Sequence, residues 1–282
     1  MEIESLTRLS ALSHPQRLSV FRLLMRRFPD AVPAGEIAAA LDLKASTTSV
    51  YLSVLSDARL ITQQRLGTSL RYRAHTAAAA ELIDYLFTDC CRGRPDLCPP
   101  FSLSPQKGAL TMTDTPYNVL FICTGNSARS IFAESILRDL EGSRFAAYSA
   151  GTRPGSDLNP LAMEMLTSKG HDTSILRSKH ISEFQTPDAP KMDFVFTVCN
   201  RAANEECPAW EGQPISGHWG LPDPVKAEGS LAERRLAFQQ AYGALSNRIK
   251  AFAALPIETH NRISLQAAVD RIGADELEGT PE

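Results

Sequence analysis

The residues best able to do chemistry lie together in the run Cys123-Thr124-Gly125-Asn126-Ser127-Ala128-Arg129-Ser130, where five residues separate a cysteine from an arginine. That spacing suits a tetrahedral oxyanion. Folded as a loop between a strand and a helix, the run can turn successive backbone N–H groups inward at the helix head. The Arg129 guanidinium then clamps two oxygens and Cys123 sits below the central atom. A helix N-terminus and a nearby cation also hold a thiol well below its ordinary pKa. Cys123 is therefore expected to be a nucleophile at neutral pH, with Thr124, Gly125, Asn126, Ser127, Ala128, Arg129 and Ser130 as the anion-binding residues. Two more sets of thiols stand out. Cys199 and Cys207 follow the apolar run Phe194 to Val198 with seven residues between them, and the pair Cys90-Cys91 precedes Cys98 by six. Such clustering does not read as a secreted disulfide framework. In a reducing compartment it more often serves soft-ion binding or redox chemistry, the plain alternative being buried apolar cysteine.

The elements that must position these residues fall into two domains. From Tyr117 a compact apolar strand, Asn118 to Ile122, leads through the glycine-containing turn into a helix. Further strands are expected at Phe145 to Ser149 and Asp193 to Val198, and an amphipathic helix over Ser230 to Leu255 stops before Pro256. This alternation predicts an α/β domain with a parallel sheet flanked by helices, over residues 116–256. Residues 1–98 instead read as mainly helical. Leu6, Leu9 and Leu12, then Leu18, Phe21, Leu24 and Met25, recur at helical spacing, and Pro15 fits a helix start. Short helices over Ala34 to Leu41 and Ala45 to Arg59 flank a turn, and a hairpin follows around Leu66-Gly67-Thr68. A basic hairpin after such a pair is a wing. The Pro- and Ser-containing residues 99–115 are expected to form a linker, and 257–282 a polar tail holding at most one more helix.

Residues 116–256 resemble the low-molecular-weight tyrosine phosphatase family, and its arsenate reductase branch more closely. Besides the Cys123 loop, the resemblance rests on Ser149-Ala150-Gly151-Thr152, Asn159-Pro160-Leu161-Ala162, Arg177-Ser178-Lys179 and His218-Trp219-Gly220-Leu221-Pro222-Asp223-Pro224. It implies that Asp223 is the general acid and that Ser130 and Asn126 support the loop and the thiolate. It also implies a relay: Cys123 attacks arsenate, Cys199 attacks the Cys123 sulfur and expels arsenite, and Cys207 closes a disulfide with Cys199. After Asp223-Pro224 the chain reads Val225-Lys226-Ala227, without the aromatic pair with which the phosphatases hold a phosphotyrosine ring. The seven residues between Cys199 and Cys207 are one more than some thioredoxin-linked reductases of the family carry. The electron donor is thus left open among thioredoxin, glutaredoxin and a low-molecular-weight thiol, with no tightly bound cofactor implied.

The amino-terminal residues resemble winged-helix repressors of the ArsR type, matched at Ala11-Leu12-Ser13-His14-Pro15-Gln16-Arg17-Leu18. His14 is expected to be structural. By this resemblance Ala45 to Arg59 is the recognition helix. Ser46, Thr47, Thr48, Ser49 and Tyr51 would approach operator DNA, while Arg65, Arg71 and Arg73 hold its backbone. Val50, Leu52, Val54 and Leu55 are expected in the core. The helix from Ala77 to Thr88 would contribute to a homodimer interface. The thiols Cys90, Cys91 and Cys98 beyond it would take a pyramidal three-coordinate ion such as arsenite, zinc being less suited for want of a fourth ligand.

Composition agrees with a folded chain. The 282 residues are 43% hydrophobic and 22% charged, enough apolar surface for one large domain or two ordinary ones. No apolar run approaches the roughly 18 residues of a membrane span. Glu2 and Glu4 stand where a signal peptide needs basic residues, so a soluble, cytoplasmic protein is expected. Net charge is −3, yet Lys44, Arg59, Arg65, Arg71 and Arg73 face only Asp57 in the stretch 44–75, a local excess of use to a polyanion. The expectation is an arsenite-responsive repressor fused to an arsenate reductase. Two other readings are a DNA-binding regulator with a non-catalytic oxyanion-sensing domain, and a protein tyrosine phosphatase tethered to DNA.

Overall fold

The computed structural model describes residues 2–92, 115–155, 157–205, 210 and 212–274. Cys98, Cys207 and nearly all of the expected linker lie outside the described residues. The chain divides into two compact units, Met1–Lys107 and Gly108–Glu282.

The first unit is helical with a small antiparallel sheet. Helices α1 (Glu2–Leu12) and α2 (Pro15–Arg26) precede β1 (Val32–Pro33), α3 (Ala34–Ala40) and α4 (Ala45–Asp57). Proline at the first position of α2 and His14 as its cap explain the sharp start: His14 Nδ1 accepts the Gln16 N–H at 3.2 Å. Asp42, at φ 51°, makes the turn between α3 and α4. The wing is β2 (Ile61–Leu66) and β3 (Ser69–Ala74), joined through Gly67 at φ 59°, and β1 adds to the far side of β3 to give the order β1-β3-β2. Helix α5 (Thr76–Tyr85) runs into a single π turn, Leu86–Cys90. Val20, Leu23, Leu24, Ile37, Leu52, Leu55 and Leu60 form the core.

The second unit is built on a four-stranded sheet in the order β5-β4-β6-β7, every neighbouring pair parallel. Its strands are β4 (Tyr117–Cys123), β5 (Phe145–Gly151), β6 (Phe194–Thr197) and β7 (Ile215–His218). Strand β4 is central and buried almost throughout, which is why it reads as a continuous apolar run rather than an alternating one. It ends at Cys123, and α6 (Arg129–Glu141) begins after five intervening residues. Helix α7 (Pro160–Ser168) and the five-residue α8 (Asn200–Asn204) follow β5 and β6. Long helix α9 (Leu231–Ala253) starts with a capping box between Ser230 and Glu233 and packs on α6. Aromatic rings fill the space under the sheet: Phe196 stacks on Trp219 at 3.9 Å, and Phe252 meets Phe145, Phe194 and Phe196 within 5.2 Å.

The one further helix allowed for in the segment 257–282 is present as α10 (Arg262–Ala274), and it packs on β7 and α9. Leu265, Val269 and Ile272 recur at i, i+4 and i+7 and belong to the main core, and the Trp219 indole N–H donates to the Val269 carbonyl at 3.4 Å. Among the described residues no helix is long and apolar enough to cross a membrane. Because Leu265 is only 1% exposed, Leu265→Ala should destabilise the second unit by about 2–5 kcal/mol, seen as a lower midpoint of its urea transition. A true tail would leave that midpoint unmoved.

Candidate active site

Cys123 is the last residue of the central strand, so its side chain emerges where the backbone leaves the sheet for α6. The backbone N–H groups of Thr152, Arg153 and Asn159 donate to the Cys123, Thr124 and Ser127 carbonyls at 3.1, 2.9 and 3.0 Å, and one buried side chain ties the loop from within. Asn126 is fully buried at φ 44°, a backbone region that asparagine tolerates better than most residues. Its Oδ1 accepts the Lys179 backbone N–H at 2.7 Å, and because an N–H only donates, this contact fixes the orientation of the amide. Asn126 Nδ2 therefore donates to both Ser130 Oγ and Ser149 Oγ, each at 2.9 Å. The Ser130 hydroxyl lies 2.9 Å from Cys123 Sγ, in place to donate to the thiolate, and the Asn126 N–H donates to the same sulfur at 3.1 Å. Ser149 passes its own proton to Glu134, which also receives the Lys179 ammonium at 3.0 Å. Glu134 and Lys179 are each 8% exposed at the side chain, a buried ion pair satisfied by these hydrogen bonds.

The back of the loop is shaped by Gly151 on β5. A Cβ there would come within 2.7 Å of the Thr124 carbonyl oxygen and 3.0 Å of the Asn126 Cβ, so no side chain fits. On the open side, a cavity of about 450 Å³ is lined by Cys123, Thr124, Gly125, Ser127, Ala128 and Arg129 from the loop, and by Cys199, Arg201, Asp223 and Lys226 among others. Arg129 is mostly buried. Its guanidinium donates to the Leu221 carbonyl at 2.8 Å and pairs with Asp223 at 3.1 Å. Asp223 also accepts the Val225 N–H at 3.3 Å, capping the short turn Pro224–Lys226 that fixes its position. Cys199 follows β6 and caps α8, its sulfur accepting the Ala202 N–H at 3.4 Å and lying 3.4 Å from Thr124 Oγ1. Cys199 and Asp223, far along the chain from the loop, thus share one cavity with Cys123 and Arg129.

The thiol itself corrects an expectation. Burial pushes Cys123 above the ordinary thiol pKa, and the neighbouring Cys199 adds to the rise, while the Ser130 hydroxyl and the Arg129 charge pull it down by less. The depressing groups foreseen at the loop are present, but dehydration of the sulfur outweighs them. Ser149, Glu134 and Lys179 were not foreseen as parts of one network. Nor was the Leu221 carbonyl as a partner of Arg129.

In the first unit, Ser46 and Ser49 are exposed on α4, Thr47 is half-buried, and Arg65 is exposed on the wing, with its Nε donating to the Gly67 carbonyl at 3.3 Å. Arg71 and Arg73 are half-buried on β3, and Tyr51 bonds Gln16 and lies 5.1 Å from the His14 ring. Thr48 cannot face DNA. It is 1% exposed, donates to the Lys44 carbonyl at 3.1 Å, and shares the inward face with Leu52 and Leu55 at i+4 and i+7. Val50, expected in the core, is 59% exposed instead. Cys90 is exposed and Cys91 half-buried. Among the described residues no three metal-binding side chains gather, Cys98 lying outside them.

A cysteine and an arginine set around one cavity at the end of a central parallel strand mark an α/β domain with a cysteine-centred cavity. Residues 118–262 match the family model for low molecular weight phosphotyrosine protein phosphatase, and the chain belongs to that family. Residues 12–64 match a helix-turn-helix domain model. The arsenate reductase of Shouchella clausii (strain KSM-K16) is 38% identical over 135 residues, which is 48% of this chain and 94% of that protein. That of Bacillus subtilis (strain 168) is 36% identical over 135 residues, with the same two shares. A solved structure described as an arsenate reductase in the phosphate binding state is 30% identical, with a TM-score of 0.38 over 48% of this chain and 97% of that one.

Because burial raises the Cys123 pKa and the Ser130 proton lowers it, the sign of one substitution is fixed. Ser130→Ala should move the pH profile of Cys123 alkylation by iodoacetamide further to the alkaline side, followed by mass spectrometry of the Cys123 peptide. An unmoved profile would remove Ser130 from the groups that hold the thiolate.

Proposed function

We propose that the second unit is a cysteine-dependent arsenate reductase and the first an arsenite-responsive repressor. The observation that carries the enzymatic reading is the single cavity holding Cys123, Arg129, Cys199 and Asp223. The relatives named arsenate reductases, at 36–38% identity over the same domain, support it. The described cavity lining contains no aromatic side chain, which favours a small inorganic oxyanion over a phosphotyrosine.

Arsenate exchanges for the Asp223 carboxylate on Arg129, and the loop from Thr124 to Ser130 takes its remaining oxygens. The Cys123 thiolate attacks arsenic, and the departing oxygen leaves as water with a proton from Asp223. The Cys199 thiolate next attacks Cys123 Sγ. The sulfur–arsenic bond breaks with its electron pair passing to arsenic, so As(V) becomes As(III) and arsenite leaves as the Cys123–Cys199 disulfide forms. Cys207 attacks Cys199, regenerating the Cys123 thiolate and leaving a Cys199–Cys207 disulfide. Reduced thioredoxin opens that disulfide, with glutaredoxin or a small thiol as the other donors.

In the first unit, α4 and the wing would face operator DNA as part of a homodimer, with Ser46, Thr47, Ser49, Tyr51, Arg65, Arg71 and Arg73 as contacts. Cys90, Cys91 and Cys98 would hold arsenite. Binding releases the operator only if arsenite favours the state of lower DNA affinity.

Steady-state NADPH oxidation in the presence of thioredoxin and its reductase tests the enzyme. Arsenate-dependent turnover is expected in the wild type and lost in Cys207→Ser. Absence of turnover with thioredoxin and with glutathione plus glutaredoxin would replace catalysis with oxyanion sensing. Operator release tests the link between the units: arsenate with a thiol reductant should free DNA from the wild type but not from Cys123→Ser, whereas arsenite should free it from both. Release of the mutant by arsenate would break the link.

A further inference from the structure

We infer that Val50 is a specificity determinant of the DNA-facing surface, taking the C5-methyl group of a thymine in the major groove. This rests on the reading of α4 as the helix that faces DNA. Val50 lies on the outer face of α4 with Ser46, Ser49 and Ser53 at i−4, i−1 and i+3, opposite buried Thr48, Leu52 and Leu55. Its side chain is 59% exposed and contributes little to the unit's core. A β-branched residue at an exposed helical position is disfavoured by helix propensity, so neither local structure nor packing asks for valine here.

Its surroundings state what it can do. The three neighbours on the outer face are serines, the shortest hydroxyl side chains, so the helix backbone can approach a groove floor closely and the two Val50 methyl groups can reach it. Two of those hydroxyls are engaged within the helix: Ser49 Oγ donates to the Ala45 carbonyl at 3.0 Å and Ser53 Oγ to Asp57 at 3.5 Å. Helix α4 carries no Arg, Lys, Asn or Gln, the side chains that read guanine and adenine in bidentate fashion. Beside the hydroxyls of Ser46, Thr47, Ser49 and Tyr51, the apolar readout group at the centre of the face is the branched methyl pair of Val50. In duplex DNA the one exposed apolar group at a base edge is the thymine methyl, and it lies in the major groove.

Replacing thymine by uracil deletes that methyl group and nothing else, which makes the test direct. Duplexes would be selected from a random pool by the full-length protein. Each thymine of the selected site would then be exchanged for uracil, and affinities measured by fluorescence anisotropy for wild type, Val50→Ser and the isosteric Val50→Thr. At one thymine per half-site the exchange should weaken wild-type binding about fourfold, the worth of one buried methyl group. Val50→Ser should be indifferent to it, and Val50→Thr, which keeps one methyl, should fall between. The cycle cancels any effect of uracil on DNA shape that is independent of Val50. Equal losses in wild type and Val50→Ser at every thymine would overturn the inference while leaving α4 as the reading helix. Selection of no duplex at all would overturn both.

Discussion

Asn126 is buried within the loop, and its amide makes three hydrogen bonds at once: one accepted from the Lys179 backbone, and one donated to each of Ser130 and Ser149. These contacts hold a non-glycine residue at φ 44° and fix the orientation of its amide. The Ser130 hydroxyl is left to serve the Cys123 sulfur, and Ser149 to serve Glu134. The chain of bonds thus ties the end of β4, the first turns of α6, the end of β5 and the segment after Arg177 to a single atom, the sulfur of Cys123. Breaking it in the middle would leave several buried polar groups unmet, each at a cost of about 1–3 kcal/mol.

The electrostatics of the site are a balance of opposed terms. Withdrawing Cys123 from water disfavours the thiolate, and Arg129, the cation best placed to offset this, is shared with Asp223 and Leu221. A positive guanidinium committed to a carboxylate offers little field to a sulfur. Ionisation of Cys123 and the occupancy of Arg129 are therefore linked quantities. In the proposed reaction the oxyanion that takes Arg129 also releases Asp223 to hold a proton.

The loop was legible because its parts are contiguous. A buried parallel strand is a plain apolar run, and a cysteine, an arginine and a glycine-bearing turn in the next seven residues state their chemistry without any tertiary information. Asp223 and Cys199 were legible by resemblance, and the structure brings both into the cavity. The ion pair of Glu134 and Lys179 was not, since 45 residues separate partners that form no periodic pattern. A helix after Pro256 was legible, but its place in the core was not, because Arg262, Gln266, Asp270 and Arg271 dilute the apolar stripe of α10, although Leu265, Val269 and Ile272 keep helical phase. On α4, residue type misled where phase would not have. Threonine lies inside and valine outside, because Thr48 shares a face with Leu52 and Leu55 and Val50 does not. The sign of the Cys123 shift depends on how deeply the sulfur is buried, which no local spacing reveals.

Gly151 gives the site a property that its chemistry does not announce. It touches the loop from behind, on a different strand from the nucleophile, and contributes only backbone. The loop is in effect cast against a bare stretch of main chain, as against a mould. A single methyl group at that position would be transmitted through the Thr124 carbonyl and Asn126 into the geometry around the sulfur. Residue 151 thus holds a veto over the shape of a site to which it lends no reactive group.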